Sequence, residues 1–131
     1  MIDYKKSLED LYIILNELEE INKKTPIIVE GNKDINALRK INITGEIISV
    51  NKGMSIADFC DYLSYRYKEI VILTDLDRKG GQLCYKIKKN LIGRVDCNTN
   101  FRKKIAQKTM IRTIEGLPSW ITTMNEKFNH L

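Results

Sequence analysis

The chain has 131 residues, of which 43% are hydrophobic and 30% are charged, a balance typical of one compact globular domain. No apolar run approaches the length of a membrane span, and the first residues mix acids with bases, so we expect a cytoplasmic protein without membrane contact. Three cysteines without a CxxC pair and a single histidine, His130, argue against a zinc site, a disulfide framework and histidine-based catalysis. The net charge of +5 permits a polyanionic partner, and any chemistry must use carboxylates, lysines, arginines, hydroxyls or a hard metal ion.

Apolar residues at helical spacing alternate along the chain with short runs that are rich in β-branched residues. An N-terminal helix is predicted over 4–24 and ends at Thr25-Pro26, because the residue before proline avoids the helical conformation. Strands are predicted at 27–29, 47–50 and 70–73, with a weaker fourth strand at 94–98. The helices between them are predicted over 33–41, through Leu63 with Ser55 as its N-cap, and over 83–91. The remainder is predicted to be helical, with breaks at Gly116 and Pro118 and a last helix capped by Ser119.

Short apolar strands that alternate with helices are typical of repeated βαβ units, in which helices cover both faces of a parallel sheet. We therefore predict a small, Rossmann-like three-layer α/β/α domain with a four-stranded parallel sheet. The chain is expected to form a single domain, 1–131, with its core at 26–98 and a helical extension at 99–131.

Three carboxylates fall at the carboxyl ends of predicted strands, where open α/β sheets bind their ligands. Glu30 follows the first strand, and Asp75 and Asp77 follow the third. If these two strands are neighbours, which requires the strand order 2-1-3-4, Glu30 lies within about 5 Å of the aspartate pair. Carboxylates that close require a compensating cation, and oxygen ligands without a histidine favour Mg²⁺ or Mn²⁺, as one ion or two. We predict that the three carboxylates converge on such a site.

Glycines and basic residues flank the same turns. A backbone without Cβ lets a phosphate approach closely, and the N-terminus of a helix favours an anion. The candidate phosphate- and nucleic-acid-binding residues are Gly31, Lys33, Gly53, Arg78, Lys79 and Gly80. The competing interpretation is that aspartate and glycine simply form tight strand-to-helix turns here.

Two segments resemble the motifs of the Toprim domain. In Ile27–Asp34 an apolar strand ends in Glu-Gly, and an aspartate follows the glutamate by four residues; in Leu73–Gly80 a strand runs into Asp-x-Asp-x-x-Gly. Toprim domains occur in topoisomerases, bacterial-type primases, overcoming-lysogenisation-defect nucleases, recombination-repair proteins and the nuclease that matures 5S ribosomal RNA. The resemblance covers 26–98, and the helical flanks are most like those of the small archaeal proteins that consist of a Toprim domain alone.

The resemblance implies roles for four acidic residues. Asp75 and Asp77 match the Mg²⁺-coordinating pair of the family, and Glu30 matches the acid that serves as general acid, general base or metal ligand. These three are the catalytic candidates. Asp34 matches the acid that follows the first motif and is a further candidate ligand.

Further basic residues lie outside the two motifs. The helix after the second motif contains Lys86, Lys88 and Lys89. Lys104, Lys108 and Arg112 recur every four residues, so a continuous helix would align them on one face. Such a stripe either follows a phosphate backbone or is only a solvated face.

These observations favour Mg²⁺-dependent phosphodiester chemistry on RNA or DNA, by a nuclease or a related processing enzyme. The first alternative is a non-catalytic nucleic-acid-binding or assembly module that keeps the metal site. The second is a subunit or homo-oligomer that docks through the apolar stripe Leu8, Leu11, Leu15 and Leu18 of the N-terminal helix. We favour the interpretation that this stripe covers the chain's own sheet.

Overall fold

The computed structural model describes residues 3–50 and 53–129, and His130 lies outside them. The strands are β1 (Ile27–Val29), β2 (Ile47–Ser49), β3 (Glu69–Ile72) and β4 (Asp96–Asn98). The helices are α1 (Tyr4–Asn22), α2 (Asn32–Lys40), α3 (Ile56–Arg66), α4 (Arg78–Leu91), α5 (Asn100–Thr109) and α6 (Leu117–Asn129), with a 3₁₀ turn at Ile114–Gly116. None of the described helices combines the length and the apolar character that crossing a membrane requires.

The strands form one parallel sheet in the predicted order, β2-β1-β3-β4. Ile27 of β1 pairs with Ile47 of β2 on one side and with Val71 of β3 on the other. The chain crosses from β1 outward to β2 and then returns to build β3 and β4 on the opposite side. The strand order therefore reverses between β1 and β3, and the prediction of an α/β fold with this topology is confirmed.

Two apolar cores cover the sheet, because successive side chains of each strand point to opposite faces. Ile27 and Val29 belong to a core with residues of α1, α2, α5 and α6. Ile28, between them, belongs to a second core with residues of α3 and α4. The three layers thus follow from the near-continuous apolar sequence of β1 and its neighbours.

The apolar stripe of α1 is buried within the chain. Leu11 and Leu18 have no exposed surface, and Leu8 and Leu15 are at most 7% exposed. The helix packs against α5 and α6, and four of its apolar residues lie in the same core as β1. The stripe covers the protein's own sheet, so the hypothesis of docking through it has no support.

Two predictions about the C-terminal region are wrong. Helix α6 begins at Leu117, so Ser119 lies inside the helix instead of capping it, and Pro118 occupies the first turn, where no hydrogen-bond donor is missed. Helix α5 ends just before Met110, whose φ of 58° is left-handed. Arg112 therefore lies beyond the helix and does not extend the basic stripe of α5.

Candidate metal centre

The loops after β1 and β3 meet at the carboxyl edge of the sheet. Ile28 of β1 pairs with Ile72 of β3, so Glu30 and Asp75 both fall just beyond the ends of neighbouring strands. The Oε2 atom of Glu30 accepts a hydrogen bond from the backbone N–H of Asp75 at 2.8 Å. The structure thus brings together one acid from each of the two sequence motifs.

The carboxylates of Asp75 and Asp77 have different partners. Asp75 Oδ1 accepts from the backbone N–H of Ile114 at 3.1 Å, whereas Asp77 Oδ1 accepts from that of Gly80 at 2.7 Å and caps the N-terminus of α4. Among the described residues, no three acidic, cysteine or histidine side chains are grouped closely enough to hold a metal ion. Convergence of Glu30 with both aspartates on one ion therefore stays a prediction.

Asp34 stabilises the turn that carries Glu30. It is 7% exposed in the first turn of α2, and its Oδ2 atom accepts from the backbone N–H of Gly31 at 3.1 Å. Burial raises the pKa of Asp34, and repulsion from Asp75 and Glu115 raises it further. Glu115, in the 3₁₀ turn, adds a negative charge near this edge that no motif in the sequence indicates.

Glu30 lies where negative charge is in excess. Burial raises its pKa to about 7, against an ordinary value of 4.5, and the neighbouring carboxyl groups of Asp75 and Asp34 act in the same direction. The backbone N–H of Asp75 partly opposes this rise. A cation at this edge would relieve the repulsion that the three acids share.

Gly80 is required by packing at the start of α4. A Cβ atom at this position would overlap the carbonyl group of Asp75 and lie 2.9 Å from its Cα. The close approach is held by the buried Thr74, whose hydroxyl donates to the carbonyl of Gly80 at 2.7 Å. The need for glycine is therefore explained without a phosphate, and phosphate binding at Gly80 stays a prediction.

The other candidate phosphate-binding residues lie at the helix starts beyond the strands. Gly31 is the N-cap of α2, and a Cβ there would meet no atom within 4 Å. Lys33 is exposed in the first turn of α2, and Arg78 and Lys79 are exposed in the first turn of α4. Gly53, after β2, is exposed and has a φ of 74°, a left-handed conformation that favours glycine.

Arg102 is a site residue that the sequence does not reveal. From α5 its guanidinium donates to three carbonyl oxygens of the segment 74–77 after β3, which we call the acidic loop: those of Thr74 at 3.2 Å, Asp75 at 2.5 Å and Asp77 at 3.4 Å. These contacts fix the position of the backbone segment that contains Asp75 and Asp77. Because the side chain reaches back more than twenty residues, no local sequence pattern could have indicated it.

Fold and site together define a class of protein. This is a doubly wound α/β domain whose acidic loops meet at the point where the strand order of its parallel sheet reverses, the usual ligand site of such sheets. A sequence model of the Toprim domain matches residues 25–108, and the chain belongs to the Toprim domain family. Toprim domains generally bind Mg²⁺, and the domain implies metal-dependent processing of nucleic acids as the general class of function.

Relatives of similar size match most of the chain. It is 42% identical over 99 residues to a UPF0292 protein of Thermoplasma volcanium, covering 75% of this chain and 83% of that protein. It is 40% identical over 118 residues to a UPF0292 protein of Thermococcus sibiricus, covering 87% and 90%. The solved structure of a protein from Aquifex aeolicus superimposes with a TM-score of 0.69 at 30% identity, covering 80% of this chain and 95% of that one.

Proposed function

We propose that the protein carries out Mg²⁺-dependent phosphodiester chemistry on RNA or DNA, as a nuclease or a related processing enzyme. The observation that carries this proposal is the hydrogen bond from the Asp75 backbone to Glu30, which joins the two acidic motifs at the carboxyl edge of the sheet. Toprim domains generally bind Mg²⁺. Glu30 and Asp75 supply only oxygen atoms, the ligands that a hard divalent cation prefers.

The residues present fit such an ion in charge and in chemistry. Glu30, Asp75 and Asp77 would hold it, because each carboxylate uses one oxygen to accept a backbone N–H and has a second oxygen besides. Asp34 would position Glu30 through its bond to Gly31. When bound, Mg²⁺ or Mn²⁺ supplies polarisation of a phosphoryl oxygen and offsets negative charge.

Residues around the acids would orient the substrate. Arg78 and Lys79, in the first turn of α4, present positive charge beside a helix N-terminus, so they would bind the phosphate that flanks the scissile bond. Gly31 leaves open space at the start of α2, so a phosphate oxygen could approach the backbone there. Glu30 would serve as a ligand or move a proton to or from the reacting oxygen.

One observation favours a second candidate, a non-catalytic module that binds nucleic acid or supports an assembly. In the part of the chain that the structure describes, no three acids form a ready metal site. Asp77 instead caps α4, a role that needs no ion.

A cleavage assay separates the two functions. Purified protein is incubated with labelled RNA, single-stranded DNA and duplex DNA in Mg²⁺, Mn²⁺ or EDTA. The enzyme proposal expects metal-dependent cleavage that Glu30→Gln abolishes and that Glu9→Gln, an exposed change on α1, leaves intact. Absence of cleavage together with salt-sensitive binding would favour the non-catalytic module.

A further inference from the structure

The outer face of α4 carries an unusual concentration of positive charge. The helix starts at the acidic loop, where Asp77 caps it, and its fourteen residues include no acid. Its five basic residues are Arg78, Lys79, Lys86, Lys88 and Lys89. Among the described residues none of the five takes part in an ion pair, so their charge faces solvent.

The basic residues of α5 are arranged differently. Lys104 lies 3.9 Å from Glu17, and Lys108 lies 2.9 Å from Asp10, both acids of α1. These two lysines therefore join α5 to α1 within the fold. Within the described residues, α5 thus keeps one exposed cation without an ion pair, Lys103, against five on α4, so α4 offers more charge to a polyanion.

An open hollow of about 550 Å³ lies along this face of α4 and is lined by residues of that helix alone; we call it the α4 groove. Its lining residues are Arg78, Gly81, Gln82, Tyr85, Lys86 and Lys89. Tyr85 lies at its centre and is 64% exposed, although a tyrosine ring gains free energy from burial. Helical spacing places Arg78, Tyr85 and Lys89 along one side of the helix, starting at the acidic loop.

We propose that this groove binds a single strand of nucleic acid, with Tyr85 stacked on an unpaired base and with Arg78, Lys86 and Lys89 on the flanking phosphates. An exposed aromatic ring between cations is the arrangement that binds single strands without sequence preference, and stacking on the ring requires a base that is not paired. The eleven residue steps from Arg78 to Lys89 rise about 16 Å, which spans about five stacked nucleotides.

This inference rests on the proposed function, because a strand bound in the groove would lead to the acidic loop at the N-terminus of α4. The groove begins at Arg78, next to the Asp77 cap, and leads away from it toward Lys89. A strand held along it would present one of its phosphates to the carboxyl edge of the sheet.

The test is binding of a fluorescein-labelled oligonucleotide of about 12 nucleotides, long enough to fill the groove, followed by fluorescence anisotropy in EDTA. We expect Tyr85→Ala to weaken binding by about 10-fold and Tyr85→Phe, which keeps the ring, to bind like the native protein. The matched control is Tyr65→Ala on α3, which removes a tyrosine that is 87% exposed but lies outside the groove. The double change Lys86→Gln and Lys89→Gln should lower the slope of log affinity against log salt by about 1.4, about 0.7 for each phosphate contact.

The binding assay is run in EDTA, so it tests the groove without the metal-dependent cleavage of the proposed function. The two proposals can therefore fail separately. Equal binding by Tyr85→Ala, Tyr65→Ala and native protein, with native melting temperatures, would overturn the groove even if the native protein cleaves nucleic acid in Mg²⁺. If the native protein does not bind the oligonucleotide at low salt, the groove proposal is also overturned. An acidic protein surface would then be the remaining kind of partner for this face of α4. Binding that depends on Tyr85 without any cleavage would support the groove and remove the enzyme proposal.

Discussion

Two adjacent glycines in the first turn of α4 should respond in opposite ways to the same substitution. Gly80→Ala places a methyl group on the backbone of Asp75, which cannot move aside as a flexible side chain could. Gly81→Ala meets only the guanidinium of Arg102 at 3.6 Å, an ordinary contact. Replacing glycine with alanine in a helix otherwise stabilises a protein by up to about 1 kcal/mol.

The clash at Gly80 should cost about 3 kcal/mol, the upper end for an added methyl group, because backbone must shift to accept it. With about 1 kcal/mol regained from the unfolded chain, the free energy of unfolding falls by about 2 kcal/mol, which lowers the melting temperature by about 8 °C. Gly81→Ala should raise the melting temperature by about 2–4 °C.

Urea and thermal unfolding followed by circular dichroism measure both changes. Because the two residues share a helix turn, each variant is the control for the other. A Gly80→Ala protein as stable as the native chain, or an equal loss in both variants, would refute the close packing of α4 on the acidic loop.

Four further predictions concern the two aspartates of the acidic loop and the residues Arg102 and Glu30 that contact it. In millimolar Mg²⁺ the native protein should gain thermal stability and Asp75→Asn should not, because an ion that binds only the folded state stabilises it by mass action; an equal response in both proteins would contradict the metal site. Asp77→Ser should keep the helix cap and lose the Mg²⁺ response, whereas Asp77→Ala should also lose about 1 kcal/mol of unfolding free energy in EDTA. Equal stability of the two Asp77 variants in EDTA would show that the cap contributes nothing. Arg102→Met keeps the apolar stem of the side chain but loses the hydrogen bonds to three carbonyls. It should lower the unfolding free energy by about 2 kcal/mol and weaken the Mg²⁺ response. An unchanged urea midpoint would show that Arg102 does not stabilise the acidic loop. Since the folded protein raises the pKa of Glu30 to about 7, its proton binds more tightly in the folded state, and stability should fall as pH rises from about 4.5 through about 7. The loss should be about 1–2 kcal/mol after allowance for solvent screening, and Glu30→Gln should remove it in urea titrations at pH 5 and pH 8 in EDTA; parallel pH profiles for the two proteins would contradict this assignment.

The sequence was sufficient for the fold because the signals of its elements are local. The β-branched run at Ile27–Val29 and its two counterparts favoured buried strands, and the predicted approach of the acids that follow them implied the neighbouring β1 and β3 that the sheet shows. The end of α5 could not be predicted, since Met110 adopts a left-handed conformation without the glycine or asparagine that usually marks one. In the sequence, Asp77 is compatible with two roles, helix cap and metal ligand. The spacing of the residues does not distinguish between them.

Residues from three other parts of the chain contact the backbone of the acidic loop and fix its position. Glu30, which follows β1, accepts the N–H of Asp75. Arg102 of α5 donates to the carbonyls of Thr74, Asp75 and Asp77, and Gly80 of α4 packs directly against Asp75. All of these contacts are made by the chain itself, so the fold alone supplies groups that fix the backbone of the two aspartates. Asp77 uses Oδ1 for the α4 cap, so its second carboxylate oxygen would be the one to hold an ion. Asp77 therefore connects the charge at the sheet edge to the start of α4, the helix whose outer face carries the basic groove.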